Sequence, residues 1–143
     1  MRIFVIAGLT ALVAGCGPQG TATYPVHGKV VFGDGSPLRG GTIEFRNVTK
    51  RGKPIVASGI VGEDGTFELT TFGNKKGAVV GTHQVIVFPK RTLPSAVLGI
   101  QPLQRPAIDP RFFSYKTSGL EVTVTEGEND VDIPVERAAG QLD

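Results

Sequence analysis

The chain has no tryptophan, one cysteine, one methionine and two histidines in 143 residues. A single cysteine excludes any intramolecular disulfide. Two histidines leave little material for the base that a nucleophilic triad needs. With aromatics at 7% and no tryptophan, few rings are free to form a sugar-stacking platform. Long apolar runs are also missing: the longest, near the amino terminus, has about 11 residues, whereas a membrane-spanning helix needs roughly 20. The formal charge is only +2 and includes Arg2, so a pI near 8.9 does not indicate a nucleic-acid binder. Glycine (20) and proline (10), by contrast, are plentiful, a composition that favours short strands and many turns over helices.

The amino terminus has the layout of an export signal. Arg2 precedes the apolar run Ile3 to Val13, which ends in Val13-Ala14-Gly15-Cys16. A cysteine directly after two small residues resembles the lipobox of bacterial lipoproteins, with valine at Val13 where leucine is commoner. The resemblance implies cleavage before Cys16, a diacylglyceryl group on its thiol and acylation, such as palmitate, of the new amino terminus. One acyl chain binds membranes weakly, at about 10⁴ M⁻¹, but two or three hold firmly. Residues 1–15 are thus expected to be a signal peptide and 16–24 a lipidated cysteine and tether. The location implied is the cell envelope, lipid-anchored to a membrane and facing the periplasm or exterior.

The remaining chain suits one domain. Val26, Val30 and Phe32 alternate with His27, Lys29 and Val31 in a first strand. Ile43 and Phe45 alternate with polar neighbours in a second, and a third runs from Ile55 to Val61 with its orientation open. Phe67 and Leu69 mark a fourth. Further strands follow at Thr82 to Phe88, Leu120 to Val124 and Val131 to Val135. Asp34-Gly35 and Asp64-Gly65 supply turns in which glycine tolerates positive φ. The expectation is an all-β, seven-stranded sandwich over 25–137, with a long insert at 89–114 and a tail at 138–143.

The same residues carry a family resemblance. Gly28-Lys-Val-Val-Phe, Asp34-Gly-Ser-Pro-Leu, Gly41-Thr-Ile-Glu-Phe, Asp64-Gly-Thr-Phe-Glu-Leu and Gly81-Thr-His-Gln-Val-Ile-Val, in that order, resemble the carboxypeptidase regulatory-like domain. The tail, Thr117-Ser-Gly-Leu-Glu-Val-Thr-Val with Gly127-Glu-Asn and Val131-Asp-Ile, is similar to small planctomycete lipoproteins. This implies a transthyretin-like (prealbumin-like) Greek-key sandwich acting as an accessory or interaction module. His83 and Phe112 stand where those families often have tyrosine.

Candidate sites are few. His27 belongs to an outer face and His83 to an inner one, so they are not expected to meet. Hydroxyisourate hydrolase, which shares the transthyretin fold, uses a first-strand histidine where His27 is similarly placed, but its terminal Tyr-Arg-Gly-Ser signature is absent. Related adhesin domains cross-link a lysine to an asparagine, for which Lys29 and Asn129 are the candidates, although the carboxylate this chemistry requires is missing from the fifth strand. Asp34, Glu63 and Asp64 offer oxygen ligands to calcium but match no EF-hand spacing, and plain turn chemistry is favoured. The insert mixes apolar residues with basic ones and holds half the prolines. It is expected to fold over Ile86 and Phe88, with Leu93, Val97, Leu98, Ile100, Leu103, Arg105 and Arg111 as a candidate partner surface.

The function expected is a non-enzymatic envelope lipoprotein without cofactor or metal. Its expected partners are the membrane, through lipid on Cys16, and an envelope protein or polysaccharide, with no nucleic acid. A carbohydrate-binding accessory module and a small hydrolase are the alternatives. Oligomeric state is left open.

Overall fold

A computed structural model describes residues 20–47, 52–91 and 107–140. Strands β1 (Val26–Phe32), β2 (Gly41–Asn47), β3 (Val56–Val61), β4 (Thr66–Glu68), β5 (Thr70–Thr71), β6 (Lys75–Lys76), β7 (Gly81–Pro89), β8 (Leu120–Val124) and β9 (Asn129–Val135) form two sheets. One has the order β4-β1-β9 and the other β6-β5-β3-β2-β7-β8. The protein is all-β, a sandwich-like stack, with one 3₁₀ turn among the described residues, at Pro110–Phe113.

The alternation read from the sequence decides which face is buried. Val26, Val30 and Phe32 of β1 meet Ile43 and Phe45 of β2, Ala57 and Val61 of β3, and Val85 and Val87 of β7 in one apolar core. Ile133 and Val135 of β9 complete it. In β3, whose sequence left the orientation open, Ala57 and Val61 point inward while Val56 and Ile60 are exposed.

The expected fourth strand is divided. Thr66–Glu68 pairs with β1, whereas Thr70–Thr71 pairs with β3, so the chain changes sheets at Leu69. Gly59 permits this corner, since a Cβ there would overlap the Glu68 carbonyl. Leu69 fills the corner at 1% exposure and donates its N–H to Val26 O. The short β6 that follows was not visible as a strand in the sequence, because Lys75 and Lys76 are both exposed and present no alternation.

Both Asp-Gly sequences form the expected turns, with Gly35 at φ 83° and Gly65 at φ 81°. Asp34 Oδ1 accepts from Ser36 N–H at 2.8 Å, and Asp64 Oδ1 accepts from Thr66 N–H at 3.1 Å. These bonds satisfy backbone donors that the reversal leaves unpaired.

Of the insert, residues 92–106 lie outside the described residues, and with them Leu93, Val97, Leu98, Ile100, Leu103 and Arg105. Its carboxyl-terminal part packs on the sandwich. Ile108 and Phe112 are buried in the main core, and Phe113 stacks on Phe88 at 5.6 Å. Ile86, outward on β7, is only 5% exposed. Next in the chain, Tyr115 donates to Glu44 Oε2 at 3.1 Å and lies beneath the Arg46 guanidinium, 3.9 Å from the ring centroid. Burial, aided by the Glu44 charge, pushes the Tyr115 hydroxyl up to about 12, so it stays a hydrogen-bond donor. The chain tail joins in: Asp109 N–H donates to Glu136 O, and Ala138, itself buried, donates to Ala107 O.

Truncating Phe112→Ala should cost about 3–5 kcal/mol, because it empties a filled core position. Tyr115→Phe should cost only about 1–2 kcal/mol, through one hydrogen bond to a half-buried carboxylate. Urea unfolding of both variants measures the difference. Equal effects would mean that the segment after Phe113 is held by its polar bonds instead of by the core.

Candidate functional site

The outward face of the three-stranded sheet gathers the ionisable side chains that the fold does not spend internally. β1 alternates, so His27 and Lys29 point away from the core while Val26 and Val30 point in. Register sets their neighbours. His27 pairs with Glu68 of β4 and with Asp130 of β9, and Lys29 pairs with Thr66 and Asp132. The parallel approach of β9 depends on Gly28, where a Cβ would overlap the Val131 carbonyl. Two cross-strand rows result: carboxylate, imidazole, carboxylate, and then hydroxyl, ammonium, carboxylate.

This face opens into a groove of about 1420 Å³ that continues around the β3–β4 corner to Thr42, Glu44 and Ser58. Ile60, 79% exposed, stands on its wall. The lining carries Glu44, Glu68, Glu128, Asp130 and Asp132 against Lys29 and Lys76. Among the described residues the ion pairs lie elsewhere, at Lys90–Glu63, Arg111–Glu136 and Arg137–Asp34. The groove lining thus carries an excess of negative charge, five carboxylates against two lysines. Still, among the described residues no group of three or more histidine, cysteine, aspartate and glutamate side chains is placed to hold a metal ion.

The other residues singled out in the sequence have internal duties. His83 is fully buried, 5.9 Å from the Phe45 ring, and its Nε2 lies 2.8 Å from Val79 O. Burial lowers its pKa from the usual 6.5, with the Val79 carbonyl opposing the shift. A neutral ring then donates from Nε2 to that carbonyl, while Nδ1 has no hydrogen-bond partner. His27 and His83 occupy opposite faces, as expected.

Asn129 is buried on the inner side of β9. Its amide nitrogen donates to the carbonyls of Pro25, Thr125 and Gly127, and its oxygen accepts from Thr125. It pairs in register with Val26, while Lys29 pairs with Asp132 on the other face, so a Lys29–Asn129 cross-link has no geometry to form.

The three oxygen ligands considered for calcium are likewise engaged: Asp34 by Ser36 and Arg137, Asp64 by Thr66, and Glu63 by Lys90. The Ser36 hydroxyl and N–H, with Arg137, hold the Asp34 carboxyl down at about 2. Arg111, the one described member of the candidate partner surface, pairs with Glu136 at 2.6 Å and lies over the Phe112 ring.

Sequence reasoning missed the groove because its members come from strands far apart in the chain. The outward polar positions were legible; their assembly needed the β1–β9 register.

His83 generates a pH prediction. The unfolded chain protonates this ring near 6.5, whereas the folded state resists protonation. Between the lowered pKa and 6.5 the unfolded state therefore binds more protons, and stability falls with acidification. The melting temperature should drop from about pH 7 to about pH 5, with a shallower slope in His83→Phe. Parallel slopes in the two proteins would remove His83 as the cause. No protein-family model, no curated protein and no solved structure matches this chain.

Proposed function

We propose that the chain is an exported cell-envelope lipoprotein whose sandwich is a non-enzymatic, structural or protein-interaction module held at the membrane surface. The observation that carries this reading is the position of Cys16. It follows an apolar run and two small residues, and it precedes by eight positions Tyr24, the first residue bridged into the domain. A fully extended tether of that length reaches roughly 26–29 Å at about 3.3–3.6 Å per residue, so an acylated Cys16 keeps the sandwich next to its membrane.

The finer fold assignment, a transthyretin-like Greek-key sandwich of the carboxypeptidase regulatory-like kind, is supported by the order of the short motifs. The strand at Gly28, the Asp34-Gly35 turn, the strand at Gly41, the Asp64-Gly65 turn and the strand at Gly81 follow one another as that resemblance requires.

The groove supports binding as the domain's role. Ile60 offers an apolar anchor, and the surrounding carboxylates suit a partner that brings cationic groups. A polysaccharide is the second reading, favoured by the row of outward carboxylates, hydroxyls and imidazole, which can accept and donate hydrogen bonds to sugar hydroxyls.

Cys16→Ser should move the protein out of the membrane fraction and leave its leader attached. Mass spectrometry of the wild-type amino-terminal peptide should find the added diacylglyceryl group and acyl chain. An unmodified wild-type peptide with unchanged membrane partitioning in the variant would overturn the reading.

A further inference from the structure

The end of the sandwich where the tether enters differs from the rest of the surface. Tyr24 and Ala78 exchange two backbone hydrogen bonds, of 2.8 and 3.0 Å, and Lys75 Nζ donates to Thr21 O at 3.2 Å. Residues 21–24 therefore lie against β6 and the segment that follows it. Five large apolar side chains are exposed among the described residues, and Val56 (42%), Phe72 (58%) and Val80 (49%) belong to this end. Val56 and Phe72 are neighbours, each one step beyond the Ala57–Thr71 pair. Val80 immediately precedes β7, two residues after the Tyr24–Ala78 bridge.

Phe72 is held outward by its backbone. It has φ 53°, the single non-glycine residue with positive φ among those described, between buried Thr71 and Gly73 at φ 82°. An aromatic residue takes that conformation at a cost, so the ring's exposure is built into the turn.

Lys53 lies three residues before Val56, and Lys75 pairs in register with Thr71, next to Phe72; both are exposed. The segments 52–61 and 69–81 contain no carboxylate. Glu126 and Glu128 reach the same end on the β8–β9 turn, which leads from the far edge of the larger sheet.

Resting on the reading of Cys16 as a lipid anchor, we propose that Phe72, Val56 and Val80, with Lys53 and Lys75 beside them in the chain and the sheet, dock this end of the sandwich onto an anionic lipid surface. The apolar side chains enter the headgroup–acyl boundary while the lysine stems lie along it with their ammonium groups among lipid phosphates. Docking fixes the domain's orientation, with the opposite end and the Ile60 wall of the groove turned away from the bilayer. A protein partner is disfavoured because the same eight-residue tether that reaches this end would hold it against the membrane first.

The absence of native tryptophan makes the test direct. The full chain carrying Phe72→Trp, purified with its anchor, is reconstituted into vesicles of equimolar phosphatidylglycerol and phosphatidylcholine. Its emission should shift to the blue and be quenched by lipids brominated about 5–10 Å below the headgroups. The docked population should fall roughly fivefold for each of Lys53→Gln and Lys75→Gln, and should fall again in pure phosphatidylcholine. Ile60→Trp, at the other end of β3, should stay unquenched. A protein that floats with the vesicles while its F72W indole remains solvent-exposed overturns the docking and leaves the anchor standing. Equal quenching of F72W and I60W overturns the fixed orientation. A chain that does not float at all overturns both the anchor and the docking.

Discussion

At Leu69 the chain stops pairing with β1 and begins pairing with β3, and most of the architecture depends on that corner. Leu69 fills it from inside, Gly59 admits the Glu68 carbonyl, and the hairpin that begins at the Asp64–Gly65 turn belongs to both sheets. A sandwich made of two independent sheets would rely on side-chain packing alone to hold their spacing. Here a covalent segment with its own hydrogen bonds spans one edge. The same crossing brings the outward residues of β3 and β4 to either side of the groove, so the surface with the most unspent charge is a by-product of how the edge is closed.

The polar residues divide by what surrounds them. Where a backbone donor or a core position needed satisfying, the side chain is committed: Asp34 and Asp64 close turns, Asn129 ties the β8–β9 turn to the start of β1, and His83 fills core volume as a neutral ring. Where strands face solvent, His27, Lys29, Glu68, Asp130 and Asp132 keep their capacity to meet something else. This division moves attention away from the residue types that usually signal catalysis and toward a face whose members are individually unremarkable in the sequence.

Strand alternation and Asp-Gly turns were legible because both are local: a period of two needs only neighbouring residues, and a turn needs four. The burial of Val30, Phe45, Phe67 and His83 followed from that period alone. The division of the fourth strand was not legible, since Thr66 to Thr71 keeps one uninterrupted alternation through the corner. Nor was the cover over β7 readable in full. Phe113 and Tyr115 find Phe88 and Glu44 across long stretches of chain, and no local pattern encodes a ring meeting a carboxylate 71 residues away. The candidate site suffered most, because a cross-strand row exists only once β9 has found β1.

That last pairing has a kinetic side. β1 lies between β4 and β9, and its parallel partner begins at Asn129, opposite Val26. Until β9 is available, one whole edge of β1 has no strand to pair with. Pairings of such large sequence separation form late and slowly. The strand that completes the smaller sheet therefore also decides when the rows around His27 and Lys29 come into being, so the groove is among the last parts of the surface to form.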